Sequence, residues 1–279
     1  MAYCTLVASD DHLVGAEALI LSLLAISYPL PRPFIVVHLR SLDRRQLARL
    51  EKLDPGHVRC LAVEPVRCSA AEQQQSSQEG ADGAASKNSW HLSFTKLRIW
   101  EVFDEKEFPL VMYLDADTVV LQDLEHLFLR DVSSLGFAAA PDVFPPDRFN
   151  AGVLLLKPSK EVFQEMLSKL ALLPSYDSGD TGFLNAFFPQ WFESPSNCRL
   201  GFAYNAQRTM YYMTKAKPGY WKAIEPIKVL HYSSTPKPWQ QTSNKLGELE
   251  IQWWHMYTTN TMMQNQRQKK KSSDAHPEE

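Results

Sequence analysis

The sequence predicts an α/β fold, a mostly parallel central sheet flanked by helices, and three observations point to it. Strand and helix signals alternate through the first half of the chain. The strand-like runs are apolar throughout, as expected of strands covered on both faces. Two carboxylates and a histidine stand at the ends of such runs, where open α/β sheets bind their ligands.

The elements follow in order. "YCTLVAS" is a first strand, and "LVGAEALILSLLAI" carries a helix from about Leu13 to Ser27, with Asp10 and Asp11 suited to its N-terminal end. "RPFIVVHL" is a second apolar run. "SLDRRQLARLEKL" has leucines at 42, 47, 50 and 53 in helical phase, with Ser41 as the expected cap. "VRCLAVEPV" makes a third strand, so strand, helix, strand, helix, strand is a nucleotide-binding arrangement in the broad sense. Residues 67–90, rich in Gln, Ser, Ala and Gly, cannot bury enough apolar surface to order themselves and are expected to form a flexible loop or lid. "FTKLRIWEVF" reads as a helix, "FPLVMYLD", "GFAAAPD" and "AGVLLLKP" as strands, and "SKEVFQEMLSKLALL" as a helix capped by Ser159. "DTGFLNAFFPQWF" is another helix and "IKVLHYS" a late strand. One domain is expected over 1–262, followed by a disordered polar tail over 263–279. "IQWWHMY" suits a core helix or a dimer face equally.

With 279 residues, 44% of them hydrophobic, the chain can bury a sizeable core. Lys plus Arg is 29 and Asp plus Glu 32, so the net charge is 29 − 32 = −3, which speaks against nucleic acid or an anionic membrane as the main partner. Cys4, Cys60, Cys68 and Cys198 form neither a CxxC pair nor a zinc spacing, and the N-terminus lacks the basic region and cleavage site of a signal peptide. Both features favour a cytosolic or nuclear compartment with reduced thiols, and a cytoplasmic protein is expected.

"YLDADTVV" ends an apolar strand on Asp115 and Asp117. On an extended backbone these side chains share a face, about 7 Å apart at Cα, and two like charges so placed call for a cation between them. Chance alone gives about 0.8 DxD matches in a chain of this composition, so the pattern gains weight only from its place at a strand end. His231 ends the late strand in "VLHYSSTPKPW" and offers an imidazole as third ligand; two carboxylates with one nitrogen suit Mn²⁺ better than Mg²⁺. Downstream, Asn150 precedes a strand, and Asp177 and Asp180 precede a helix. Each also has a plain structural reading, Asn150 as a turn residue and Asp180 as a helix cap.

Taken in order, "TLVASDDHLVGA", "SFTKLRIW", "YLDADTVV", "RFNAGVLLLKPS", "YDSGDTGFLNAFF", "GFAYNAQRT" and "VLHYSSTPKPW" resemble family 8 of the retaining glycosyltransferases, which includes glycogenin, galactinol synthase and plant glucuronosyltransferases. The resemblance implies a GT-A fold and a UDP-sugar donor held by Mn²⁺, with Asp115, Asp117 and His231 as metal ligands. It implies Leu6, Ala8, Ser9 and His12 around the uridine, Lys87 and Lys96 near the donor, and Ala116 near the nucleotide. Asn150, Ala151, Asp177, Asp180 and Thr181 would surround the sugar, with Ser234 and Lys237 near the diphosphate. Of these, Asp180, Asp177, Asn150 and Lys237 would carry the catalytic roles. Three positions depart from glycogenin: His12 stands for a tyrosine, Thr181 for the glutamine of its "DQG" motif and Ser234 for a glycine of "HFLG".

What the resemblance implies of function is a retaining transfer of a hexose, galactose before glucose, from a UDP-hexose to a glycan or glycoprotein acceptor, by a homodimer. A protist branch of the family caps a glycan on a cytoplasmic ubiquitin-ligase adaptor, and this chain is compatible with that role. The alternatives are a glycogenin-type primer glucosylating its own Tyr212, with Tyr211 beside it, a glucuronosyltransferase, and an inactive sugar-nucleotide-binding adaptor.

Overall fold

The computed structural model describes residues 1–67, 92–217 and 219–275. The expected lid, from residue 68 onward, and Lys87 lie outside the described residues.

The described strands are β1 (Ala2–Val7), β2 (Phe34–Leu39), β3 (Val58–Val63), β4 (Val111–Leu114), β5 (Thr118–Val120), β6 (Phe137–Pro141), β7 (Phe149–Leu156), β8 (Ala206–Gln207) and β9 (Val229–His231). The first four with β6 and β7 form a six-stranded sheet in the order β3-β2-β1-β4-β7-β6. Its pairs are parallel from β3 to β4 and antiparallel at β4/β7 and β6/β7. Every residue of β1, β2 and β4 is buried, which is why those runs lack polar alternation. A second sheet of three short strands, β5-β9-β8, abuts the first.

Helix α1 (Leu13–Ile26) is buried on nearly every side, as an all-apolar helix must be. Helix α2 (Arg44–Glu51) buries only Leu47 and Leu50, and its cap is Asp43, whose carboxylate accepts from Arg45 N, in place of the expected Ser41. The segment "FTKLRIW" forms a 3-10 helix, Phe94–Trp100, tighter than the expected α-helix, and packs all but Arg98 inward. Helix α3 (Lys160–Lys169) starts at Ser159 as expected, the hydroxyl accepting from Val162 N. Helix α4 (Asp180–Phe187) follows, then the short α5 (Arg208–Thr214) and α6 (Gly219–Ala223).

The tail corrects an expectation. Instead of disordering after residue 262, the chain continues as α7 (Glu248–Ala275), a helix of 28 residues. Its first turns are core: Trp253 is buried, stacked on Tyr257 at 5.1 Å and tilted against Trp239 at 5.4 Å. Its later polar residues find specific acceptors. Arg267 donates to Leu24 O at 2.9 Å, Gln268 to Lys52 O at 2.9 Å, and Gln264 to Leu53 O. Leu24 lies in the last turn of α1 and Lys52 caps α2, so these donors serve carbonyls that helix ends leave without partners. Among the described residues no helix is long and apolar enough to cross a membrane.

Candidate active site

The site lies where the two sheets meet. β4 ends at Leu114 and β5 begins at Thr118, so Asp115 and Asp117 occupy a turn and not the extended strand that the sequence led us to expect. Thr118 closes that turn, its amide donating to Asp115 O at 3.0 Å and its hydroxyl to the same carbonyl at 2.8 Å. The carboxylates converge because β9 pairs with β5 and sets His231 opposite Thr118. His231 Nε2 lies 3.2 Å from Asp117 Oδ1 and 3.8 Å from Asp115 Oδ2.

Behind this triad stands a chain of amides. Asn205 Oδ1 is 2.7 Å from His231 Nδ1, and Asn205 Nδ2 donates to Asn150 Oδ1 at 2.9 Å. With the Asn205 carbonyl accepting the Nδ1 proton, the Nε2 lone pair would be free for a bound metal ion, the tautomer a metal ligand needs. Gly152 makes room for the ring: a methyl at that position would meet His231 Cε1 at 2.3 Å. β7 is irregular here, since its register with β6 shifts between Ala139 and Ala140, and Gly152 O accepts from Asp115 N at 2.8 Å. A ligand-atom set of two oxygens and one imidazole nitrogen, all within 4.8 Å of one another, fits one divalent cation.

Two buried lysines complete the electrostatics. Lys96 Nζ bridges Asp115 (3.1 Å) and Asp180 (2.6 Å) and donates to Ala151 O at 3.3 Å. Burial pulls its ammonium down, but the two carboxylates outweigh burial and hold it above the ordinary lysine range. Lys237 Nζ contacts Asp117 Oδ2 and donates to Tyr232 O at 2.9 Å. Burial opposes ionisation of Asp117, yet Lys237 and His231 together hold its carboxyl well below the usual range. Burial raises Asp180, with Lys96 opposing and Asp115 adding to the rise. Three carboxylates against two ammoniums give 2 − 3 = −1 with the imidazole left out of the count, so a divalent ion would leave the cluster positive toward an anionic ligand.

The other expected residues sort unevenly. Ala151 N donates to Thr181 Oγ1 at 3.3 Å, tying the base of α4 to β7. Asp177 is committed locally: its Oδ1 accepts from Gly179 N, Gly182 N and the Ser175 hydroxyl, so it shapes the start of α4, from which Asp180 projects. Ser234 accepts from Arg208 Nε at 2.9 Å. At the end of β1, Leu6 is buried and the Ser9 hydroxyl bonds His12 Nδ1 at 2.8 Å, and α1 beyond brings Gly15 against the Ala116 carbonyl, where a methyl would sit at 2.4 Å.

Four residues of the site escaped the sequence reading. Tyr113 donates to Asp115 Oδ1 at 2.5 Å, and Asn205 and Gly152 set the histidine. Asp142 gathers Gln207 Nε2 at 2.9 Å, Asn150 Nδ2 at 3.4 Å and the Tyr176 hydroxyl at 3.4 Å beside Asn150. Only Gly152 carried a signal, a glycine inside the apolar strand "NAGVLLL" that marks a close approach.

A Rossmann-like sheet with an Asp-Asp-His cluster at a strand-end turn defines a GT-A fold with a candidate metal centre. Residues 3–243 match the family model described as glycosyl transferase family 8, and the chain belongs to that family. It is 35% identical to glycogenin-1 of Caenorhabditis elegans over 167 residues, covering 60% of this chain and 37% of that one. Glycogenin-1 of Homo sapiens is 31% identical over 186 residues, 61% of this chain and 51% of that one. Inositol phosphorylceramide glucuronosyltransferase 1 of Arabidopsis thaliana is 32% identical over 181 residues, 58% of this chain and 31% of that one. The match thus spans roughly a third to a half of the length of these relatives. Among solved structures, the galactosyltransferase LgtC, determined with donor and acceptor sugar analogs, superposes with a TM-score of 0.64 at 18% identity, covering 93% of this chain and 96% of that one. The apo glycosyltransferase GlyE of Streptococcus pneumoniae TIGR4 gives 0.68 at 20% identity, covering 97% and 63%. These two likenesses concern the fold.

Proposed function

We propose that the protein is a Mn²⁺-dependent retaining glycosyltransferase that moves a hexose, galactose before glucose, from a UDP-sugar to a glycan on a separate cytoplasmic acceptor protein. The observation that carries this reading is the convergence of Asp115, Asp117 and His231 at the junction of the two sheets, flanked by Lys96 and Lys237. The mixed oxygen and nitrogen donors favour manganese over magnesium. A bound ion there would offset the charge that develops on a departing diphosphate.

The chain's own residues supply the rest. Lys237, against Asp117, sets a positive charge beside the same diphosphate. Asp180, held by Lys96, and Asn150, held by Asn205, orient sugar hydroxyls, while Asp177 acts on the sugar through the start of α4. In the proposed reaction the acceptor hydroxyl attacks the anomeric carbon from the leaving-group face, the bond to the diphosphate breaks, and a phosphate oxygen takes the acceptor proton. Free thiols at Cys4, Cys60 and Cys198 support a reducing compartment.

The glycogenin relatives favour a second reading, self-glucosylation at Tyr212. Against it, the Tyr212 hydroxyl is bound to Glu250, and burial, then Glu250, raise its pKa above the ordinary value. UDP release from UDP-galactose, UDP-glucose and UDP-glucuronate, with intact-mass analysis, separates the readings: a ladder of hexose adducts marks a primer, free UDP without adducts an external acceptor. Asp117→Asn is expected to lower Mn²⁺-dependent turnover on the order of 10³-fold. Undiminished turnover in both Asp117→Asn and Asp180→Asn would overturn the assignment.

A further inference from the structure

Arg208 heads α5 directly after β8, whose Gln207 pairs in register with His231. It is 4% exposed and four of its five N–H groups are spoken for. Nε donates to Ser234 Oγ at 2.9 Å, and Nη2 to Ser234 O at 2.5 Å and Pro236 O at 2.7 Å. Nη1 donates to Glu250 Oε1 at 2.8 Å, and Glu250, in the first turn of α7, is 3% exposed. The remaining Glu250 oxygen takes the Tyr212 hydroxyl.

These bonds converge on one short segment. Ser234 and Pro236 are the residues that deliver Lys237, whose ammonium lies against Asp117. Gln241 Nε2 also donates to Pro236 O, at 3.2 Å, but among the described residues Arg208 is the side chain that reaches both carbonyls. Beyond them the chain is fastened through Lys237 N to Gln240 Oε1 at 2.7 Å and through Pro238 O to Trp254 Nε1 at 3.1 Å. A planar guanidinium can grip two carbonyls, a hydroxyl and a carboxylate at once, and an ammonium cannot. A buried arginine and glutamate are costly unless each finds its partners, so the pair is well satisfied but intolerant of losing either member.

We infer that Arg208, braced by Glu250, is a positioning residue that holds the Ser234–Lys237 segment, and with it the Lys237 ammonium, in place beside the metal ligands, making the start of α7 part of the donor site. This rests on the UDP-sugar reading for its consequence but not for its geometry. The side chain touches no reacting atom; it acts through Lys237. Arg208 bonds none of the uridine-side residues Leu6 to His12, and the segment reaches that side only indirectly, through Gln240, which accepts from Lys237 N and donates to Asp11, so its loss bears chiefly on the diphosphate end.

The test uses the full chain with Arg208→Lys and, as the milder change, Glu250→Gln. In the ligand-free protein, amide exchange over residues 233–238 is expected to rise in both variants, with β1, β2 and β4 unchanged. With Mn²⁺ present, UDP affinity should fall about tenfold, the scale of one charge-assisted hydrogen bond, while UMP affinity holds. Combining Arg208→Lys with Lys237→Ala should add nothing further to the loss of UDP affinity. Unchanged exchange in the segment overturns the brace, as does an equal loss of UDP and UMP affinity. If the segment loosens but the wild-type protein binds no UDP, the brace stands and the donor reading falls.

Discussion

The two sheets hold their shape by different means. In the six-stranded sheet β1, β2 and β4 are buried at every position, and its strands cohere by packing Val, Ile, Leu, Phe and Ala from both faces. The three-stranded sheet has strands of only three, three and two residues, too short to cohere alone, and its neighbourhood is crowded with Asp117, His231, Asn205, Gln207 and Arg208. The large sheet fixes where the site is, and the small one fixes which atoms face it. Damage to the first should therefore register as lost stability, and damage to the second as lost binding.

The largest effect away from the candidate metal centre is expected at Leu156, fully buried at the end of β7 remote from Asn150. Leu156→Ala should cost about 2–5 kcal/mol in a urea titration while leaving turnover per folded molecule intact. Loss of turnover in step with stability would break the division. Next comes Gly152→Ala, whose methyl would press on the His231 ring. Metal affinity, followed by Mn²⁺ titration calorimetry, should drop about 10–100-fold as the imidazole is pushed aside. Asn205→Ala leaves the ring in place but removes its Nδ1 partner, and about a tenfold loss is expected.

The smallest effect is a pH dependence. Asp117 is held below its ordinary value of 3.8, so its contribution to stability is present above that value and disappears as pH falls through the folded-state value. Asp117→Asn, which strands Lys237 without its carboxylate, should be less stable than wild type at neutral pH. The gap in urea midpoint between the two should narrow below about pH 4. A constant gap from pH 7 to pH 3 would remove Asp117 from the acid response.

The same division governs what was legible in the sequence. β1 and β2 could be read because burial on both faces writes itself as unbroken apolar runs, and Ser159 could be read because a cap is local. Asp115, Asp117 and His231 were legible as candidates, but their convergence was not: it depends on a turn and on the pairing of β5 with a strand over a hundred residues later. Tyr113 and Asn205 stood in quoted motifs without a role, since neither pattern nor spacing tells which ligand a hydroxyl or amide will orient. The polar end of α7 read as a solvated tail because Gln264, Arg267 and Gln268 have the composition of one; the carbonyls that they serve belong to helices at the other end of the chain.

The turn between β4 and β5 has a further consequence. Asp115 directly follows β4 of the large sheet, Asp117 directly precedes β5 of the small sheet, and His231 ends the small sheet's central strand. An ion bound by all three would act as a rivet between the sheets, present only while both are folded. Ligand at a hundred times its dissociation constant then adds about 2.7 kcal/mol to the unfolding free energy. Melting temperature thus becomes a gauge of occupancy, able to rank metals and sugar nucleotides before any acceptor is in hand.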